Sequence, residues 1–195
     1  MINAIIPLMA AAALAAPQLR DRLADADVPV NTGEGSAIYE IFVAPDGWVD
    51  DCDVVKSDYT ARQDELVCRH LLREKARKSA RGTDGKPVHA TVLVTRNRGS
   101  GDPMEYPFPP DIVLDVAAAP GMENGEKVVA LNVLVDADGV LQSCEAARKG
   151  DETFADAACQ QAKAIEFRQR EDRNGTAVPY LTEVTAEFVA DSSAT

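Results

Sequence analysis

Two histidines, four cysteines and a short run of aspartates carry most of the chemistry that this chain of 195 residues could perform. His70 stands two residues after Cys68, so zinc there would need the thiolates of Cys52 and Cys68 together with the imidazole. The stretch recurs later in the chain with Gln161 in place of His70, and the ligand set is not repeated. His89 has no metal-ligand spacing around it. No C-x-x-C pair, G-x-S-x-G elbow, phosphate loop or dinucleotide fingerprint occurs. No metal, cofactor or catalytic residue is therefore assigned, and the chain reads as a non-enzyme. Asp50, Asp51 and Asp53 form a carboxylate group, but they alternate along a strand and read as a solvated edge. Arg69, Arg73, Lys75, Arg77, Lys78 and Arg81 read as the end of a helix, where cations complement the helix dipole. An anionic surface or an acidic partner is the competing reading of that run.

The cysteines are even in number, which suits disulfides if the chain is exported. Met1 to Ala16 carries no charged side chain, and its 16 residues are fewer than the ~20 a spanning helix needs. Ala13-Leu14-Ala15 is an A-x-A cleavage pattern, so residues 1–16 are read as a signal peptide. No Lys or Arg precedes the apolar run, and an uncleaved anchor or a cytosolic helix remain as alternatives. Membrane contact is expected only if the segment stays uncleaved. A net charge of -12 excludes nucleic acid as a partner, because phosphate neutralisation needs a concentrated basic surface. Residues 99–126 hold six acids and no base, so half of that net charge sits in one segment.

The elements that must position these residues are duplicated. Asp46-Gly47 and Cys52 match Asp138-Gly139 and Cys144 at an offset of 92, Cys68 matches Cys159 at 91, and Gly85 and Val88 match Gly175 and Val178 at 90. Tyr39, Ile41 and Val43 alternate along one strand, and Leu131, Val133 and Val135 along its counterpart. The Asp-Gly pairs predict tight hairpins into second strands at 48–55 and 140–147. Thr60-Ala61-Arg62-Gln63 is a capping-box pattern, and Asp151 is a good N-cap in the second copy. Cys68, Leu71, Leu72 and Ala76 then share one helix face, as do Ala155, Ala158, Cys159, Ala162 and Ile165. Last strands follow at 88–96 and 178–189.

The expected fold is thus α+β: two β-β-α-β units, each a small antiparallel sheet with one helix packed on it. Repeat 1 covers 37–98 and repeat 2 covers 127–191. A lead-in occupies 17–36, and an acidic Pro/Gly linker occupies 99–126, with a short strand expected at 111–117. Each copy places one cysteine on its second strand and one on its helix. Pairing within copies follows, Cys52 with Cys68 and Cys144 with Cys159; four buried thiols are the alternative. Such a bridge matters to a unit of this size, which buries little surface by itself.

The run from Asp46 to Val54, a helix bearing a cysteine, and Asp84-Gly85-Lys86-Pro87-Val88 together resemble the C-terminal domain of TonB-type energy transducers, in its cysteine-containing form. The likeness covers about two-thirds of the chain. It frays at the family's Arg-Phe-x-Pro-Ala stretch: the first copy keeps only Ala80 and the second only Phe167. The resemblance implies a periplasmic location and an outer-membrane receptor or other envelope protein as partner, bound when an extended segment adds to a sheet edge. The edges expected to serve are the last strands, with His89, Thr91, Leu93 and Thr95 on one and Thr182, Val184, Ala186 and Phe188 on the other. Two roles stay open. One is a binding protein in TonB-type transport. The other is a structural or inhibitory envelope protein whose two copies seal each other's edges.

Overall fold

In the computed structural model, residues 13–19, 35–98 and 109–190 are described. The expected signal peptide falls outside them except for residues 13–16, and so do most of the lead-in and residues 99–108 of the linker. In chain order the elements are β1 (Gly35–Val43), β2 (Val49–Ser57), α1 (Ala61–Leu71), β3 (Ala80–Arg81), β4 (Pro87–Arg98), β5 (Ile112–Val116), β6 (Glu126–Val135), β7 (Leu141–Ala146), α2 (Glu152–Ala162) and β8 (Tyr180–Ala190).

Local chemistry explains the repeated pieces. In the first hairpin Gly47 takes φ +91° while the Ala44 N–H donates to the Trp48 carbonyl at 2.8 Å. Its counterpart Gly139 sits at φ +83°, and a Cβ there would lie 2.6 Å from the Phe167 carbonyl oxygen. Only glycine meets both demands. At the start of α1 the Thr60 N–H donates to Gln63 Oε1 at 2.7 Å, closing the expected box. Asp151 occupies the N-cap of α2, but its carboxylate goes to Lys127 Nζ at 2.8 Å and not to a helix N–H. Cys52–Cys68 and Cys144–Cys159 are both bonded, each fastening a helix to the second strand of its half. Two such bonds fit an oxidising, extracytoplasmic environment. Among the described residues no helix is long and apolar enough to cross a membrane.

The expected pair of small separate sheets does not form. The chain is mostly β, 46% strand and 15% helix, in one mixed sheet of eight strands. Its main path runs β2-β1-β4-β8-β6-β7, with β3 on β4 and β5 on β8. One junction makes it continuous, and a further strand is added beside it. β4 and β8 run parallel and pair at His89–Tyr180 and Ala90–Leu181, and β5 lies parallel to β8 from Ile112–Ala186 to Val116–Ala190. The last strands are therefore interior to the sheet, which corrects their expected place at its edges.

This junction puts the helices on opposite faces. Tyr39, Ile41 and Val94 pack under α1 with Val67 and Leu71. The other side of that half carries Phe42, which belongs to the core of α2 with Leu131, Val133, Tyr180 and Ala158. Strand partners that are directly opposed share a face, so His89 and Tyr180 both lie on the α2 side. Ala90, Leu181 and Leu134 lie on the α1 side, in a third cluster with Ala80 and Leu14. Each half thus supplies apolar residues that complete the packing of the other, and neither buries its faces by itself. Leu72, expected on the buried face of α1, is instead 41% exposed because the helix stops at Leu71.

A wedge between the two halves

β4 and β8 begin together and then part. Past Ala90 and Leu181 no ladder pair joins them, although Thr91 Oγ1 donates to Thr182 Oγ1 at 2.7 Å. β4 runs on to Arg98 paired on one side by β1, while β8 is next covered on this side from Ala186 by β5. Between lies a cleft of about 1040 Å³, whose walls include Thr91, Leu93, Thr182, Val184, Arg168 and Arg170. Asp111, just before β5, caps the β8 wall by accepting the Thr185 N–H at 2.8 Å.

Of the eight residues expected to meet a partner, Thr91, Leu93, Thr182 and Val184 come together around this wedge. Leu93 is 42% exposed, whereas Val184, Ala186 and Phe188 are buried in the core of α2. Thr95 is half-buried farther along β4. His89 stacks on Phe42 with ring centroids 5.1 Å apart, and its Nε2 lies 4.0 Å from Asp50. Burial pushes the His89 imidazole below its ordinary value, and Asp50 opposes that shift. The same burial raises the Asp50 carboxyl, with Arg173 pulling it back.

Of the three carboxylates of β2, an edge strand, Asp51 is exposed and Asp53 half-exposed as their alternation suggests, but Asp50 is not solvated. Asp50 is nearly buried and forms an ion pair with Arg173, whose Nε lies 2.6 Å from its Oδ1; Asp53 lies 3.5 Å from Arg170 Nη1 and 3.7 Å from Arg168. Arg170 is only 7% exposed. Its guanidinium pairs with Glu40 and stands 5.7 Å over the Phe42 ring. Burial lowers its pKa, and the surrounding acids supply the compensating charge. Acids of the first half thus meet arginines of the second across the seam. Arg168, Arg170 and Arg173 lie in a loop without periodicity, so no sequence pattern marked them. A second buried polar knot, Tyr39 and Ser57 both donating to Asp64 at 2.7 Å, ties α1 to β1 and β2. It too went unmarked.

The basic run is also relocated. Only Arg69 lies in the last turn of α1, where it pairs with Glu65; Arg73 to Arg81 belong to the extended segment after the helix. With Cys52 and Cys68 bonded, the zinc arrangement at His70 is closed, and His70 lies 3.6 Å from Glu74. Among the described residues no three His, Cys, Asp or Glu side chains gather into a metal-binding group. Compared with family models, curated proteins and solved structures, the chain gives no match.

Proposed function

We infer that this is a non-catalytic binding protein of the bacterial periplasm that takes an extended segment of an outer-membrane or other envelope protein into the wedge between β4 and β8. The observation that carries the reading is the interrupted pairing of two interior strands: main-chain groups of β4 beyond Ala90 face away from β1 across an open cleft. Main-chain bonding to such groups supplies affinity without demanding a particular sequence. Thr91 and Leu93 on one wall and Thr182 on the other supply side-chain contacts. The resemblance to TonB C-terminal domains supports the same mode of capture, and the disulfides fit the compartment.

The sealed structural role has its own support in the His89–Tyr180 and Ala90–Leu181 pairs and in the ion pairs across the seam. Photoreactive residues at Thr91 and Leu93, activated in intact envelopes, separate the two roles. Capture of a receptor through its N-terminal segment is the expected result. Crosslinks that reach only residues 182–185 of the same chain would replace capture with the sealed role.

A further inference from the structure

The basic segment after α1 has an occupant. Ala13 to Leu19 run antiparallel beside it: the Ala15 N–H donates to the Arg81 carbonyl at 3.1 Å and the Arg81 N–H to that of Ala15 at 2.8 Å. The Gln18 N–H donates to the Lys78 carbonyl at 3.0 Å, and the Gln18 carbonyl accepts from Arg77 at 2.7 Å and Lys78 at 3.1 Å. Two leucines anchor this strand. Leu14 is 5% exposed among Ala80, Ala90, Leu134 and Leu181, and Leu19 packs against the core of α1.

The duplication shows what Leu14 replaces. At an offset of 90, Ala80 corresponds to Arg170, and at 92, Phe42 corresponds to Leu134. In the second half Arg170 covers Phe42 from within the repeat. In the first half Ala80 is too small to cover Leu134, and a side chain from outside the repeat does so. The fold therefore has a hole over Leu134 and Leu181 beside a main-chain edge able to hold a strand. Arg73, Arg77, Lys78 and Arg81 are exposed along that edge and give it a positive rim.

We propose that the Lys78–Arg81 edge and the Leu134/Leu181 hole form a second acceptor site, adjoining the wedge along Ala16, Pro17 and Leu181, for an extended partner segment with two apolar anchors five residues apart and acidic residues flanking them. Ala13–Leu19 holds the site in cis. A tethered occupant acts at a local concentration of order millimolar, which closes the site to weaker partners. Cleavage after Ala15, where the A-x-A pattern places it, removes Leu14 and leaves Gln18 and Leu19, so export opens the hole. The acidic flanks follow from the rim, since opposite charge steers encounter and selects partners.

The test uses the purified full chain and its Leu14→Asp variant. The probes are two fluorescent peptides carrying the sequence ALAAPQL, one flanked by glutamates and the other by lysines. The glutamate-flanked peptide is expected to bind the variant about a hundredfold tighter than the unaltered chain. It should exceed its lysine-flanked twin by about tenfold at low salt, with the gap closing as salt is raised. Adding Arg77→Glu and Lys78→Glu to the variant should reverse the preference between the peptides. Equal binding to both proteins, or binding to neither, overturns the proposal. So does dimerisation of the variant in place of peptide binding, which would make a second copy the occupant. Amide exchange at Arg81, whose N–H loses Ala15 on cleavage while Arg77 and Lys78 keep Gln18, gives a readout that needs no variant: excess glutamate-flanked peptide should leave this amide protected in the processed chain, and unchanged fast exchange there overturns the site.

Discussion

Replacing Arg170 by Met removes a buried cation and keeps most of its apolar stem over Phe42. The change strips Glu40, whose side chain is 29% exposed, and Asp53, at 48%, of the charge that faces them across the seam. Breaking a fully buried pair costs about 3–5 kcal/mol. Partial solvation of both acids moves the expected loss to the lower end, about 3 kcal/mol. For a chain of this length that corresponds to a fall of about 6–12 °C in Tm. Thermal and urea unfolding of the oxidised protein measure it, and Glu40→Gln completes a double-mutant cycle. The two changes should couple by about 2 kcal/mol, because each removes the same interaction. Single losses under about 1 kcal/mol that simply add would refute the view that this ion pair holds the halves together.

Three other outcomes follow from the same structure. Each disulfide closes a loop of 15 or 16 residues, so replacing Cys144 and Cys159 by Ala should lower stability by about 3 kcal/mol, read from the urea midpoint. Gly139→Ala should destabilise by about 2 kcal/mol or more, through both its positive φ and the Phe167 carbonyl, whereas Gly150→Ala meets open space and should lose only about 1 kcal/mol. The depressed His89 imidazole makes the unfolded chain take up its proton first. Neutral His89 therefore contributes stability that is complete above about pH 6.5 and is lost as pH falls through the lower folded value. Raised Asp50 works in the opposite direction, its protonation in the fold offsetting part of that loss at lower pH. His89→Phe keeps the stack on Phe42 and should flatten the decline that begins below about pH 6.5; urea midpoints that fall in parallel for both proteins would contradict the assignment.

Much of the local structure was legible from the residues alone. The offsets of 92, 91 and 90 located both halves, and the Asp-Gly pairs, the Thr60 box and the short strand within the linker all form near their expected places. The disulfide pairing was legible as well, because each copy carries one cysteine on its second strand and one on its helix. These are short-range matters: turn φ, a cap three residues away, a helix face repeating every 3–4 residues. How the halves join was not. Any strand edge offers the same row of N–H and C=O groups, so nothing in β4 or β8 marks them as each other's partners. Once they pair in parallel, the helices fall on opposite faces, Phe42 and Leu134 become core for the other half, and loop arginines meet aspartates more than a hundred residues away. Composition and spacing established a duplicated, disulfide-bonded chain. The single sheet, the charged seam and the open wedge exist only because one long-range strand pairing, β4 with β8 at two residue pairs, brings the copies together.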